Sequence, residues 1–113
     1  MARRVHQPLE DQEFDFILGM AAGGPVLAYF CGTWPKAVEA CRAMDAVVGA
    51  LAEEYGTRLT AVRADMTRCP SATKRYGVAS APTAVLVKDG GAVASQEGPM
   101  SPEEFRAFLD AHL

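Results

Sequence analysis

The residues best suited to chemistry are three cysteines, Cys31, Cys41 and Cys69, because a thiolate can attack a disulfide or ligate a metal ion. Cys31 and Cys41 lie ten positions apart in FCGTWPKAVEACRAM (30–44), a stretch that also holds a tryptophan and a proline. The sequence contains no C-x-x-C, so a redox reaction has to join thiols that are distant along the chain. The two histidines lie near the termini without metal-ligand spacing, and no metal site is predicted.

Each thiol has a structural interpretation beside its chemical one. Cys41 falls in the apolar stripe of a predicted helix, where free cysteine is commonly a buried, inert packing residue. If Pro35 to Ala37 form an extended loop instead, Cys41 moves into the first helical turn and its thiol is activated. Cys31 ends a predicted strand, and a disulfide to Cys41 requires their Cα atoms to lie within about 7 Å.

Cys69 precedes Pro70 at a predicted helix start, where backbone amides point toward it. The structural interpretation is an exposed helix-cap residue. The chemical one is a reactive thiol that serves as a single-thiol sensor or carrier.

Composition restricts the class of protein. The chain has 113 residues, half of them apolar and 22% charged, which predicts one domain (1–113) with residues 1–8 as a flexible N-terminal segment. A net charge of −3 with scattered basic residues argues against nucleic-acid binding. No apolar stretch is long enough to cross a membrane, and acidic residues follow Arg3 and Arg4 where a signal peptide would be apolar. We therefore expect a cytosolic location. The chain has no glycine-rich phosphate loop, and no cofactor is predicted.

Hydrophobic periodicity predicts the elements that must position the cysteines. Helices are predicted over residues 10–20, 35–55 and 70–77, and a last helix follows a capping box formed by Ser101 and Glu104, with Leu113 packing beside it. Strands are predicted over residues 25–30, 58–66, 82–87 and 92–96. Because a helix connects the first two long strands, they should pair in parallel, whereas KDGG (88–91) predicts an antiparallel hairpin. The fold class is α/β, a mixed sheet with helices on both faces.

Three segments resemble the thioredoxin family: CRAMDAVVGALAEEYG (41–56), YGVASAPTAVLVKDGG (76–91) and GPMSPEEFRAFLDAHL (98–113). The resemblance runs without a gap from Cys41 to the end of the sequence, about two thirds of the chain. It implies a thioredoxin-like fold with a central four- to five-stranded mixed sheet. It also implies thiol–disulfide exchange with a protein partner.

The family's C-x-x-C site is altered in this sequence. Aligned backward from Cys41, which matches the second cysteine of the family motif, the first cysteine falls on Val38. Aligned forward from the preceding strand, Trp34 matches the family's tryptophan and PKAV (35–38) takes the place of C-G-P-C. The two alignments differ by three residues, which indicates an insertion. The forward alignment also puts Tyr29 where the family has a buried aspartate, although a buried tyrosine with a bonded hydroxyl is the simpler interpretation.

The resemblance also implies a cis peptide before Pro82, beside which an extended partner segment would pair with free backbone groups. The predicted partner-binding residues are Trp34, Pro35, Ala81, Pro82 and Thr83. Two function hypotheses follow. The protein is either a weak or atypical thiol–disulfide oxidoreductase that uses Cys41 with Cys31, or a redox-inactive binding module for a polypeptide segment. No oligomeric state is predicted.

Overall fold

The structure is a computed structural model and describes residues 5–21 and 24–112. These residues include five β-strands and four α-helices. The strands are β1 (Val5–His6), β2 (Val26–Cys31), β3 (Thr60–Asp65), β4 (Thr83–Lys88) and β5 (Gly91–Glu97). The helices are α1 (Asp11–Met20), α2 (Pro35–Tyr55), α3 (Pro70–Arg75) and α4 (Pro102–Asp110). The predicted order of elements is confirmed from α1 onward, and so is the capping box at the start of α4.

The strands form one mixed sheet in the order β1-β3-β2-β4-β5. β2 is central and pairs in parallel with β3 and antiparallel with β4. The β2–α2–β3 connection is the helical crossover that parallel strands require, and the β4–β5 hairpin supplies the predicted antiparallel edge. The α/β fold class and the mixed sheet with helices on both faces are therefore confirmed.

The N-terminal segment departs from the prediction. Residues 1–8 were expected to be flexible, but Val5 and His6 form β1 and pair in parallel with Ala61 and Val62 of β3. The physical reason is that β3 would otherwise be a sheet edge with unpaired backbone groups, which a short strand can satisfy. Residues 1–4 and Leu113, to which predictions were also attached, lie outside the described residues.

The central strand separates two apolar clusters. Leu27, Tyr29 and Cys31 face α2 and α4, in a cluster that includes Cys41. The alternate residues of β2 face α1 and α3, in a cluster that includes Cys69. Because successive side chains of a strand point to opposite faces, the sheet itself places Cys69 on the other side from Cys31 and Cys41.

Candidate functional site

The start of α2 decides the environment of Cys41. The helix begins at Pro35, with Trp34 as an extended N-cap residue that makes no side-chain cap. The Val38 amide already donates to the Trp34 carbonyl over 2.9 Å, so the alternative in which residues 35–37 form a loop is wrong. Cys41 is the seventh residue of the helix, about 9 Å along its axis, beyond the first turn in which the helix dipole acts. The helix N-terminus therefore does not activate this thiol.

Cys31 and Cys41 are brought together in the interior. Cys31 is the last residue of β2 and 2% exposed, and Cys41 is fully buried in the same apolar cluster. Both are free thiols. Burial, and then the neighbouring Cys41 thiol, raise the pKa of Cys31 well above its usual range. Cys31 is thus protonated and shielded from solvent at neutral pH.

A hydrogen-bonded group of three side chains lies next to the cysteines. The Tyr29 hydroxyl donates to Oδ1 of Asp45 on α2, and Nε of Arg63 on β3 donates to the same oxygen over 2.8 Å. Tyr29 is buried, whereas Asp45 and Arg63 remain partly exposed. Burial, and then the Asp45 carboxylate, raise the pKa of the Tyr29 hydroxyl above its usual range. Tyr29 is thus a core residue with a bonded hydroxyl, as the simpler interpretation has it.

Neither partner of Tyr29 was identified from the sequence. Asp45 lies among the charged residues of the predicted helix over residues 35–55, and Arg63 lies in the predicted strand over residues 58–66 without a distinctive neighbour. One available signal was the spacing: Asp45 follows Cys41 by four residues and Tyr29 precedes Cys31 by two, which puts each pair on one face of its element.

Trp34 covers the turn between β2 and α2. Its ring lies so close over Gly32 that a Cβ on Gly32 would come within 2.2 Å of the indole. Trp34 is 44% exposed and Val38 is 39% exposed. Pro35 is exposed as well. The surface beside the buried thiols is therefore apolar and accessible.

The Ala81–Pro82–Thr83 segment lies against the same apolar cluster through Ala81, which is partly buried. The peptide before Pro82 is cis. Pro82 and Thr83 are buried, and the Thr83 hydroxyl donates to the Ser80 carbonyl over 2.6 Å. Of the predicted partner-binding residues, Trp34 and Pro35 are exposed, Ala81 is partly accessible, and the other two face inward.

Cys69 is not the exposed cap residue that the sequence predicted. It is the N-cap residue of α3, but its side chain is fully buried in the cluster opposite Cys31. Burial, and then Asp11, raise the pKa of its thiol to about 11. The amides expected to face Cys69 are used elsewhere, because Ser71 and Ala72 donate to the Asp11 carboxylate of α1 over 3.2 and 3.0 Å. The helix start therefore stabilises Asp11 instead of a thiolate.

No set of three or more histidine, cysteine, aspartate or glutamate side chains within residues 5–21 and 24–112 is arranged to hold a metal ion. None of the helices in the described part of the chain is long and apolar enough to cross a membrane.

Comparison with known proteins agrees with this fold. The family model described as Thioredoxin matches residues 5–111. The chain is 32% identical over 89 residues to thioredoxin 1 of Synechococcus elongatus, which covers 79% of this chain and 80% of that protein. It is 30% identical over 94 residues to a thioredoxin of Pseudomonas aeruginosa, covering 83% and 84%. The crystal structure of Deadhead, a germline-specific thioredoxin of Drosophila melanogaster, superimposes over the whole of both chains with a TM-score of 0.83 at 21% identity, which shows the shared fold.

Proposed function

The chain belongs to the thioredoxin family, and on that premise we propose that it is a thiol–disulfide redox protein in which Cys31 and Cys41 form the reacting pair. The observation that carries this proposal is the placement of the two thiols. The end of β2 and the second turn of α2 put them in one buried cluster, next to each other, while Cys69 lies across the sheet. A disulfide forms only between sulfurs that can meet.

The reaction balances as an exchange of one disulfide for another. Cys31 loses its proton and attacks one sulfur of a partner disulfide, which forms a mixed disulfide and releases the first partner thiol. Cys41 then loses its proton and attacks the Cys31 sulfur, which forms the Cys31–Cys41 disulfide and releases the second partner thiol. The protein gives up two electrons and two protons, and the partner disulfide takes them. We assign the first attack to Cys31 because it ends β2, next to the turn that the Trp34 ring covers, whereas Cys41 is fully buried within α2.

Burial sets the rate of this exchange. A thiol reacts as its thiolate, and the raised pKa of Cys31 keeps the thiolate fraction small at neutral pH. Cys31 is also only 2% exposed, so the residues that cover it have to move before a partner sulfur can reach it. The activity should therefore be slower than that of a site with an exposed cysteine at a helix N-terminus.

The partner in this proposal is an extended protein segment. Trp34 and Pro35 present an accessible apolar surface, and Ala81, which is partly accessible, packs against the cluster that holds the two thiols. Aromatic residues in such a position favour protein contacts. A cytosolic location belongs to the same proposal, because it would keep the pair reduced between turnovers.

A second function rests on the same surface without the chemistry. The deep burial of both thiols also suits a protein that binds a polypeptide through the Trp34 surface and carries out no exchange. Loss of the Cys31 and Cys41 thiols would then leave partner binding unchanged, whereas truncation of Trp34 would weaken it.

The deciding experiment compares wild type with Cys31→Ser, Cys41→Ser and Cys69→Ser. Each protein is equilibrated in glutathione redox buffers, quenched with acid and alkylated, and disulfides are located by mass spectrometry. Reduction of insulin in the presence of dithiothreitol is measured in parallel. We expect a Cys31–Cys41 disulfide and insulin reduction above background in wild type and in Cys69→Ser, and neither in the other two variants. Three free thiols in wild type across all buffers would exclude redox chemistry and leave the binding function.

A further inference from the structure

The Tyr29–Asp45 hydrogen bond joins β2 to α2, the same two elements that carry Cys31 and Cys41. Tyr29 precedes Cys31 by two residues on β2, which corresponds to about 6.7 Å along a strand. Asp45 follows Cys41 by four residues on α2, which corresponds to about 6 Å along a helix. The helix runs in the opposite direction to the strand, so Asp45 lies beside Tyr29 when Cys41 lies beside Cys31, because the distances along α2 and β2 are nearly equal. A shift that separates Tyr29 from Asp45 therefore also separates Cys31 from Cys41.

Asp45 joins α2 to two strands at once. Its Oδ1 accepts from the Tyr29 hydroxyl on β2 and from Arg63 Nε on β3, and Tyr29 and Arg63 are register partners across these strands. Within the part of the chain that the structure describes, Asp45 provides the only side-chain hydrogen bonds between α2 and the sheet. We call these three residues the Tyr29–Asp45–Arg63 clamp.

The helix end that carries Cys41 has little else to fix it. The N-cap residue of α2 makes no side-chain hydrogen bond, and the first turn contains no acidic residue to interact favourably with the helix dipole. Between this uncapped end and the clamp lies Cys41, one turn before Asp45. The clamp is thus the nearest polar anchor to the cysteine pair.

We propose that the Tyr29–Asp45–Arg63 clamp is a positioning device for the redox pair, holding α2 against β2 in the register at which the Cys31 and Cys41 thiols face each other. This inference rests on the proposed function. The hydrogen bonds of the clamp join its own three residues and do not include Cys31 or Cys41, so it acts through the helix. A disulfide needs its two Cα atoms within about 7 Å and a narrow range of dihedral angles. If α2 is fixed against β2, the two cysteines satisfy this geometry for a larger fraction of the time than if α2 can move along the strand.

The charges of the clamp support the same role. Burial and the Cys41 thiol are the largest influences on the pKa of Cys31, followed by Arg63, which lowers the pKa, and Asp45, which raises it. The two charges of the clamp therefore oppose each other at Cys31. Their effects on the pKa of the Cys31 thiol therefore partly cancel.

The test compares Tyr29→Phe and Asp45→Asn with Glu54→Gln, all in the Cys69→Ser background. Glu54 is a matched control because it lies on the same helix and pairs with Arg106 of α4, away from the cysteines. In glutathione redox buffers, the equilibrium constant for forming the Cys31–Cys41 disulfide should fall about tenfold in both clamp variants, equivalent to a rise of about 30 mV in the potential. Glu54→Gln should keep the equilibrium constant of the Cys69→Ser protein.

A second measurement does not depend on the disulfide. The reduced wild type, Tyr29→Phe and Asp45→Asn, all retaining Cys69, are alkylated under native conditions, and the rate is followed at each cysteine. Cys31 and Cys41 should react several-fold faster in the clamp variants while Cys69 keeps its rate, because only the helix start is released. Equal acceleration at all three cysteines would mean general destabilisation and overturn the inference.

The two proposals can fail separately. A wild type that forms the disulfide, with clamp variants that keep both its equilibrium constant and its alkylation rates, overturns the clamp and leaves the redox function standing. A wild type that forms no disulfide overturns the redox function, and with it the role of the clamp in that reaction. The alkylation rates then show whether the clamp still fixes the helix start.

Discussion

Two helix starts in this chain carry the same local signal and place cysteines in different environments. Both α2 and α3 begin at a proline, and neither N-cap residue makes a side-chain hydrogen bond. At α2 the N-cap residue is Trp34, which is partly exposed, and Cys41 lies deeper in the helix opposite a second thiol. At α3 the N-cap residue is itself a cysteine, Cys69, buried without a thiol partner.

The comparison shows that a position at a helix N-terminus is not sufficient to make a thiol reactive. Cys69 has the favourable place in the helix, yet burial raises its pKa to about 11, and Asp11 occupies the amides of the first turn. Cys41 has the less favourable place but has Cys31 beside it. In this molecule the arrangement of the core across the sheet, more than the local helix signal, decides which thiols lie close to each other.

The largest difference between the N-termini of α2 and α3 should appear in the free energy of unfolding when aspartate replaces each N-cap residue. Aspartate is a strong N-cap, so Trp34→Asp should change the free energy of unfolding by no more than about 1 kcal/mol, with the gained cap offsetting the lost indole contacts. Cys69→Asp should cost about 3 kcal/mol or more, because it buries an unpaired carboxylate near Asp11 and Asp65. Urea denaturation of both variants measures the difference.

Cys69→Ala is the control for lost volume and should cost about 1 kcal/mol. If Cys69→Asp proves no more harmful than Cys69→Ala, water reaches the side chain at this position. The N-cap position of α3 would then be accessible like that of α2, and the contrast drawn between the two helix starts would be wrong.

A smaller effect on the free energy of unfolding should arise at high pH from Cys69 at the N-terminus of α3. The folded pKa of Cys69, about 11, lies above the ordinary thiol value of 9.0, so the folded state holds the proton more tightly than the unfolded state. This contribution to stability is complete below pH 9 and is lost as the pH rises through 11. The free energy of unfolding should therefore fall by up to about 2 kcal/mol more in wild type than in Cys69→Ala.

Urea titrations of the two proteins at intervals from pH 7 to pH 11 measure this difference. Tyr55, whose pKa is raised to about 12 by burial and by Asp110, is present in both proteins and cancels in the comparison. A difference that stays constant over the whole range would show that the Cys69 thiol titrates alike in the folded and unfolded states.

The fold could be predicted from the sequence because its signals are local. The four-and-three spacing of apolar residues in α2, the capping box at Ser101 and the KDGG hairpin each specify an element without reference to distant residues. β1 was missed because a two-residue strand has no periodicity. It exists only because β3 offers an edge to pair with.

The candidate site was predictable in part. Its cysteines, Trp34 and the segment around Pro82 carry local or family signals. The partners of Tyr29 and the burial of Cys69 depend on how elements pack across the sheet. In the sequence, Asp45 is not distinguishable from a surface aspartate, and only the packing of α2 on β2 brings it to Tyr29. Asp11 lies 60 residues before Ser71, whose backbone amide donates a hydrogen bond to its carboxylate. Single-sequence patterns do not encode such contacts.

The smallest predicted effect tests access to the thiols of the proposed redox pair, Cys31 and Cys41. Gly32→Ala places a Cβ within 2.2 Å of the Trp34 ring, so the indole must swing away from the turn, at a cost of about 1 kcal/mol. Tryptophan fluorescence should then shift to longer wavelength, and alkylation of Cys31 should accelerate while that of Cys69 does not. Gly49→Ala is the control, since nothing lies within 4 Å of its added Cβ, and it should stabilise α2 by up to about 1 kcal/mol. If the Gly32→Ala fluorescence shifts but Cys31 reacts no faster, the Trp34 turn is not the route to the thiols, and partner disulfides would have to enter by opening of the helix itself.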